Sequence, residues 1–426
     1  MKHILKYLVI FLLCAALLTG MLTATALIPA DAVRDNMRSS AELLCGNKVF
    51  FNLSENISAS KIDRYADSIL LNIVYHYDSA DPLVSVMRSS YYFTDTQNEN
   101  DNLLDAITGE YGANKEYLRY WHGSGVIVKA LHLFTDILGI YIINAIVMVL
   151  LYGLLLYVLI KNRLYAGAVG TLCALAAAGI WYVPFSLEYT WVFMIMPVIS
   201  VIAVKLVLAG KPEKLGTLFL ISGIVTNYFD FLTSETVTLT VPLLLAIYTS
   251  RQMKSASVRS EILPAVRNGI LWGVGYAGMW LTKWGLAAVI LGEDVIPLIS
   301  EHIAERSLGS GLSGNLLGDW WNNISCLFPL GFGGAGVIAA VLLTLAAAYV
   351  SFVYRRDGVR PSGLLIYAVI GIVPLIRYAV LFNHSTIHYF FTYRALVGTI
   401  LAVCLVIAEL VGFGRAKHET GKRKRA

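Results

Sequence analysis

Long apolar runs separated by short polar stretches form the dominant pattern of this sequence. Each run is close to the ~20 residues that an α-helix needs to cross a bilayer. The runs lie at roughly 4–27, 138–160, 165–184, 189–208, 215–232, 236–250, 266–291, 332–354, 362–382 and 390–412. The pattern therefore predicts an all-α polytopic membrane protein with about ten transmembrane helices.

Two polar stretches are too long to be simple turns between these helices. Loops of such length are usually functional or disordered. The predicted organisation is a first transmembrane helix (1–27), a large loop with interfacial helices (28–137), transmembrane helices two to seven (138–291), a Gly/Trp loop (292–331), transmembrane helices eight to ten (332–412) and a basic tail (413–426).

Basic residues favour one side of this predicted topology. With the N-terminus inside, most of the 33 lysines and arginines fall in the inner loops and the tail. The short outer turns near 185–189, 233–236 and 383–388 carry none. Because cytoplasmic loops are enriched in Lys and Arg, both termini are predicted to be cytoplasmic. The two large loops are then extracytoplasmic, and the protein is an integral protein of the cell membrane.

The first apolar run is also compatible with a secretory signal peptide, since Lys2 and Lys6 precede a Leu-rich core. We favour an uncleaved anchor, because the run is long and an even number of spans requires it.

Cys45 and Cys326 fall in the two large loops, where they could form a disulfide.

Composition excludes several classes of function. With 57% hydrophobic and 14% charged residues, the chain is not a soluble globular domain. It has no Walker loop, and its G-x-G-x-x-G stretches follow no predicted strand, so neither ATP nor a dinucleotide is implied. The net charge of +5 comes from inner loops and the tail, which indicates contact with anionic lipids at the cytoplasmic face rather than with nucleic acid.

The stretch 61–72, KIDRYADSILLN, carries the first candidate chemistry. Read as a helix, it has an apolar stripe, and Asp63 and Asp67 lie one turn apart on the same face. Two like charges at that spacing repel each other, so helix stability does not explain them. They could act as a proton acceptor or an ion clamp. A solvated helix face is the alternative interpretation.

Four of the charged residues in the predicted spans are candidates for a site. An ionised side chain deep in lipid costs at least ~2.5–3.5 kcal/mol, so it normally faces the bundle interior and has a partner. Asp230, Lys283, Arg377 and Arg394 all lie in the outer halves of their spans. We therefore expect a polar chamber that opens outward, beneath the loop with the two aspartates. A structural Asp230–Lys283 ion pair is the alternative for those two residues.

The last outer turn, NHSTIHYFFTYR, places His384 and His388 close to Arg394. Imidazoles, hydroxyls and a guanidinium are suited to bind a phosphate group. If the turn is helical, the two histidines lie at i and i+4, which also suits a divalent cation. The sequence shows no third metal ligand, so phosphate binding is the preferred interpretation.

Three aromatic positions complete the candidates. His122 lies between an aromatic cluster and Gly123. Its side chain could belong to the site, or it could form a structural hydrogen bond. Trp320 and Trp321 follow a Gly-rich stretch and present flat faces that suit sugar rings in a lid. A flexible loop with a membrane-interface anchor is the alternative for these tryptophans.

The motif Asp63-Arg64-Tyr65-Ala66-Asp67 resembles the acidic motif in the first outer loop of membrane-embedded GT-C type glycosyltransferases. The segment Tyr120-Trp121-His122-Gly123 is similar to the stretch with which those proteins re-enter the membrane, although it lacks the prolines. The bacterial relatives of protein mannosyltransferases and of lipid A aminoarabinose transferases are the members it resembles most. The resemblance covers the first half of the chain and the topology.

This resemblance implies a GT-C-like fold and an inverting transfer of a sugar from a polyprenyl-phosphate donor to an extracytoplasmic lipid, glycan or protein. Asp63 or Asp67 would be the general base; Arg64 stands where the family often has an acid, which leaves open which of them acts. The departing phosphate would be neutralised by Lys283, Arg377 and Arg394 with His384 or His388. The rival interpretations are a flippase or transporter of lipid-linked glycans and, third, a glycan polymerase or ligase.

Overall fold

The computed structural model describes residues 2–109, 111–253, 258–294, 296–307, 315–328, 333–355 and 364–413, and most of them are helical. The tail from residue 414 onward, and with it most of the predicted basic segment, lies outside the described residues. The elements before the second apolar run are α1 (Lys2–Ala26), α2 (Ala30–Cys45), β1 (Phe50–Asn52), β2 (Lys61–Asp63), α3 (Arg64–Tyr75), α4 (Pro82–Arg88), α5 (Glu99–Thr108) and α6 (Gly125–Leu131).

From residue 137 onward, the described residues form helices and short 3₁₀ turns. The helices are α7 (Ile137–Lys161), α8 (Tyr165–Ala177), α9 (Thr190–Leu208), α10 (Leu215–Phe229), α11 (Val237–Met253), α12 (Val258–Leu291), α13 (Ile296–Ser307), α14 (Leu316–Ser325), α15 (Gly333–Val353), α16 (Leu365–Gly371), α17 (Val373–Val380), α18 (Phe382–Ile387), α19 (Tyr389–Thr392) and α20 (Val397–Val411). The 3₁₀ turns are Ser58–Ser60, Ile180–Phe185, Pro212–Lys214 and Tyr393–Leu396.

The predicted all-α membrane protein is confirmed at the level of fold class. Over the described residues, five helices are long and apolar enough to cross a membrane: Ile4–Ala26, Ile137–Lys161, Thr190–Leu208, Glu261–Leu291 and Tyr389–Val411. The count of ten spans stays a prediction, because other apolar runs form shorter helices.

Helix α8 illustrates why some runs are shorter than predicted. It ends at Ala177, and Gly179 then adopts a left-handed φ of 62°. Glycine takes this conformation without the steric cost that a side chain would add. Pro184 lies in the 3₁₀ turn that follows and has no backbone N–H to donate to a continuing helix. The local sequence therefore turns the chain before the apolar run ends.

The segment between α1 and α7 is a packed layer rather than an open loop. Helix α2 packs on α3 and α5, and α4 packs on α1 and α12. Met37, Leu44, Leu71 and Ile73 have no exposed surface and form part of its core. Strands β1 and β2 pair antiparallel beside these helices, with Phe50 opposite Asp63. The layer forms one side of the cavity described below.

Helices α10 and α12 approach each other closely through two glycines. A Cβ atom added at Gly223 would collide with the backbone carbonyl oxygen of Trp272, and one added at Gly275 would collide with that of Leu220. Small residues at such positions let two helix backbones pack directly against each other. Gly273, which lies on the same helix as Gly275, has no neighbouring atom within 4 Å of an added Cβ. The close contact therefore depends on particular glycines and not on every glycine of α12.

We expect Gly223→Ala to destabilise the fold by about 1–3 kcal/mol, because the added methyl group has to push two helix backbones apart. Gly273→Ala is the matched control, and it should be neutral or stabilising by roughly 0.5–1 kcal/mol, since alanine favours a helix over glycine. Thermal unfolding of the purified variants in detergent measures both. Equal melting temperatures for the two variants would contradict the close packing of α10 on α12.

Candidate active site

A cavity of about 780 Å³ lies between the layer that follows α1 and the loops that join the later helices. This volume is in the range of small-molecule sites in proteins. Its polar and aromatic lining includes Asp63, Glu188, Lys115, Arg119, Arg306, His122, His384, His388, Phe50, Tyr65, Tyr117 and Tyr120. Of the predicted site residues, the cavity thus brings together Asp63, His122, His384 and His388.

Asp63 is not on a helix face, which corrects the prediction for residues 61–72. Lys61–Asp63 forms strand β2, and α3 begins only at Arg64. Asp63 is the N-cap residue of α3, where its Oδ1 accepts a hydrogen bond of 2.9 Å from the backbone N–H of Ala66. Aspartate is favoured at this position because it satisfies a free backbone donor of the first turn. The solvated-face alternative is also wrong, since Asp63 is only 3% exposed.

Glu188 is the acidic partner of Asp63 in the cavity. The two carboxyl groups are hydrogen-bonded to each other, which requires a proton between them. Burial raises the pKa of Asp63 to about 6. Burial and the negative charge of Asp63 raise the pKa of Glu188 well above its usual range. Glu188 therefore holds the shared proton and donates it to the Asp63 carboxylate near neutral pH.

Asp67 lies behind this acid pair and does not line the cavity. Its side chain is fully buried and accepts hydrogen bonds from the Tyr141 hydroxyl at 2.5 Å and from the Leu187 backbone N–H at 2.8 Å. The Ser186 hydroxyl donates a third at 3.3 Å. Asp67 thereby fixes the turn that carries Glu188. The structure therefore does not bring Asp67 into the cavity with Asp63, and the predicted catalytic role of Asp67 has no support from this geometry.

Two arginines and two histidines form another part of the lining. Arg119 is ion-paired with Glu305 at 2.8 Å, and the buried Nε of Arg306 has no hydrogen-bond partner among the described residues. The rings of His384 and His388 are 4.7 Å apart. Burial, with the nearby arginines, lowers the pKa of His388 to about 4 and that of His384 well below its usual value. Both imidazoles are therefore neutral at pH 7.

The predicted phosphate-binding cations of the spans do not line the cavity. Lys283 Nζ donates to the carbonyl oxygens of Val86 and Met87, both at 2.9 Å. Arg377 is ion-paired with Glu235 at 2.9 Å. Their burial requires such partners, because an unpaired charge in a protein interior is costly. These contacts join helices and loops that are far apart in sequence.

Arg394 likewise has a structural partner, since its Nη2 donates to the Ala59 carbonyl oxygen at 2.9 Å. Asp230 accepts from the Tyr276 hydroxyl at 3.0 Å and from the Thr233 backbone N–H at 3.0 Å. It closes the turn after α10. The alternative of an Asp230–Lys283 ion pair is therefore wrong, because both side chains are bound elsewhere.

His122 lies in the cavity wall and is 2% exposed. Its φ of 54° is in the left-handed region, and its ring lies among those of Tyr117, Tyr120 and Phe231. The next residue is Gly123, where a Cβ would collide with a tyrosine ring. Burial and the charge of a nearby lysine lower the pKa of His122 well below its usual value, so it faces the cavity as a neutral imidazole.

Trp320 and Trp321 lie on α14 and not in the cavity lining. Trp320 packs against the hydrophobic core, and Trp321 is 45% exposed. Their predicted contact with a sugar is therefore not provided by this cavity, and part of the Gly-rich loop before them lies outside the described residues.

Cys45 and Cys326 are both free thiols, so the considered disulfide is not formed.

A metal ion is the alternative ligand for the histidine pair. Over the described residues, no group of three or more His, Cys, Asp and Glu side chains could hold one. His384 and His388 are packed instead against Phe391, with ring centroids 5.9 and 5.1 Å away. The Nδ1 atoms of both histidines are buried and have no hydrogen-bond partner among the described residues.

Comparisons of the chain with protein-family models, with curated proteins and with solved structures give no match. The observations that bear on function are those of the cavity itself. It combines an acid pair, two arginines, neutral histidines and aromatic walls. This lining can accept a proton at one place and bind an anion at another.

We expect the melting temperature of the wild type to fall by a few degrees between about pH 5 and pH 8, in part through Asp67. Burial raises the pKa of Asp67 from 3.8 to about 7. The folded state then binds this proton more tightly than the unfolded state, so the stability it contributes is lost as the pH rises through the folded-state pKa. Asp67→Asn, which cannot ionise, should flatten the dependence.

Asp95→Asn is the control for that measurement, because Asp95 is exposed in the same layer. It should keep the full pH dependence of thermal unfolding. Asp63 and Glu188 also have raised pKa values, so the flattening by Asp67→Asn is partial. An Asp67→Asn variant with the unchanged wild-type slope would contradict the assignment.

Proposed function

We propose that the chain is a membrane-embedded glycosyltransferase of GT-C type that moves a sugar from a polyprenyl-phosphate donor to an extracytoplasmic hydroxyl acceptor. The proposal includes about ten transmembrane helices and cytoplasmic termini, as the charge pattern predicts. The observation that carries it is the Asp63–Glu188 acid pair, which lies in the same cavity as Arg119 and Arg306. One part of the cavity can accept a proton, and another can bind a phosphate.

Asp63 is the general base in this proposal. It takes the proton of the acceptor hydroxyl while the hydroxyl oxygen attacks the anomeric carbon of the donor sugar. The bond from that carbon to the phosphate oxygen breaks, the polyprenyl phosphate leaves with the electron pair, and the anomeric configuration inverts. Glu188 supports this step because its proton stabilises the Asp63 carboxylate. Holding base and acceptor in place supplies much of the rate.

Arg119 and Arg306 are the proposed phosphate contacts, and they replace the three cations predicted from the spans. Guanidinium groups bind phosphate oxygens through two parallel hydrogen bonds. His384 and His388, which are neutral, add N–H donors without further charge. Donors fixed in a site with little water stabilise the charge that develops on the leaving phosphate. A lipid-linked donor also agrees with the lack of a Walker loop in the sequence.

The test is transfer from radiolabelled polyprenyl-phosphate sugars by the purified protein in liposomes. We expect Asp63→Asn to lower the transfer rate about 100- to 10,000-fold, the usual contribution of a general base. Asparagine is as good an N-cap as aspartate, so α3 should still begin at Arg64. Asp95→Asn is the matched control and should keep the wild-type rate.

Two results of this assay would contradict the proposal. Full transfer by Asp63→Asn would exclude Asp63 as the base. Movement of labelled donor across the bilayer without covalent transfer would favour the flippase alternative over the transferase.

The pH dependence of transfer tests the acid pair separately. We expect the rate to rise with pH through about 6, because Asp63 acts as a base only after it loses its proton. Glu188→Gln keeps a hydrogen-bond donor beside Asp63 and should leave the pH at which the rate rises unchanged. Glu188→Ala removes the donor and should move this rise to higher pH. A rise at the same pH in both variants would show that Glu188 does not support Asp63.

A further inference from the structure

Two aromatic rings form a shelf beside Asp63. Phe50 and Tyr65 both line the cavity and are 38% and 39% exposed. Their ring planes are 12° apart and their centroids are separated by 5.9 Å. At this separation parallel rings are offset rather than fully overlapped, so each ring keeps part of a face uncovered. We call these two residues the aromatic shelf.

The aromatic shelf is tied to Asp63 through the backbone. Phe50 is the cross-strand partner of Asp63 in the β1–β2 ladder, and Tyr65 follows Asp63 by two residues. Directly paired residues of antiparallel strands have Cβ atoms about 4.5–5.5 Å apart. A ligand that packs on the shelf is therefore held close to the proposed base.

Neighbouring side chains hold both rings in place. The Tyr65 hydroxyl is hydrogen-bonded to Glu99. Phe50 also forms a T-shaped pair with Phe390, whose ring centroid lies 6.1 Å away. Rigid aromatic side chains offer contact area at low entropic cost. The shelf is thus a prepared surface rather than two mobile side chains.

We propose that the aromatic shelf is a saccharide-binding subsite that packs against the flat face of a pyranose ring. Within the proposed function, on which this part rests, the acceptor is then a glycan rather than a peptide or a diacylglycerol. The axial C–H groups of a pyranose are slightly positive and match the negative face of an aromatic ring. Its equatorial hydroxyls point outward from the stack, and Lys115 and Glu116 also line the cavity as polar partners.

Binding can be tested without catalysis. The protein is placed in lipid nanodiscs free of glycoside detergents, and methyl β-glycosides of glucose, galactose and N-acetylglucosamine are titrated by saturation-transfer NMR. We expect Phe50→Leu and Tyr65→Leu each to weaken binding about three- to tenfold, the usual worth of an aromatic face. Phe50→Tyr keeps the face and should bind as the wild type does.

Phe51→Leu is the matched control, because Phe51 lies on the same strand, does not line the cavity and packs on Arg64. It should leave glycoside binding unchanged and shows whether a leucine disturbs the hairpin. Glycosides that do not bind, or that bind the Phe50→Leu and Tyr65→Leu variants as tightly as the wild type, would overturn the subsite.

Transfer assays with the same glycosides, a serine-containing peptide and diacylglycerol separate this inference from the proposed function. Shelf-dependent glycoside binding without transfer from any donor would support the subsite and refute the transferase. Transfer to the peptide or to diacylglycerol, unchanged in Phe50→Leu, would refute the glycan as acceptor and leave the transferase intact. Transfer to a glycoside with a raised KM in Phe50→Leu supports both.

Discussion

The buried carboxyl group of Asp67 is the contact on which the arrangement of the cavity depends. It accepts hydrogen bonds from α7 through Tyr141 and from the turn before α9 through Leu187. Three elements distant in sequence thereby meet at one side chain. A carboxyl group without partners at this depth would be strongly unfavourable, so the contact tolerates little displacement. The position of Glu188 next to Asp63 follows from it.

The buried side chain of Lys283 also joins elements that are distant in sequence. The carbonyl oxygens of Val86 and Met87 lie in the last turn of α4, where helix carbonyls have no partner within the helix. Lys283 of α12 satisfies both. The charge of an ammonium group is also favourable at a helix C-terminus. A lysine in an apolar run thus indicates a buried partner correctly, although the partner is a helix end and not a phosphate.

The sequence predicts local features of this fold well and long-range contacts poorly. Apolar runs identify the helices because the signal is contained in each run. The strand before α3 carries no such signal, since the three residues of β2 gain their structure from pairing with β1. Glu188 falls in a predicted short turn, and a lone acid beside the start of a span is the signal that could identify it. Arg119 and Arg306 can be placed in the cavity only once the packing is known.

The N-cap role of Asp63 has a consequence for which residues can occupy this position. One oxygen of the carboxyl group is held by the first turn of α3, so the group cannot swing away from the cavity wall. A glutamate would carry the same charge on a longer arm and would lose the short reach that capping needs. The carboxyl group that lines the cavity and the start of α3 consequently depend on the same side chain.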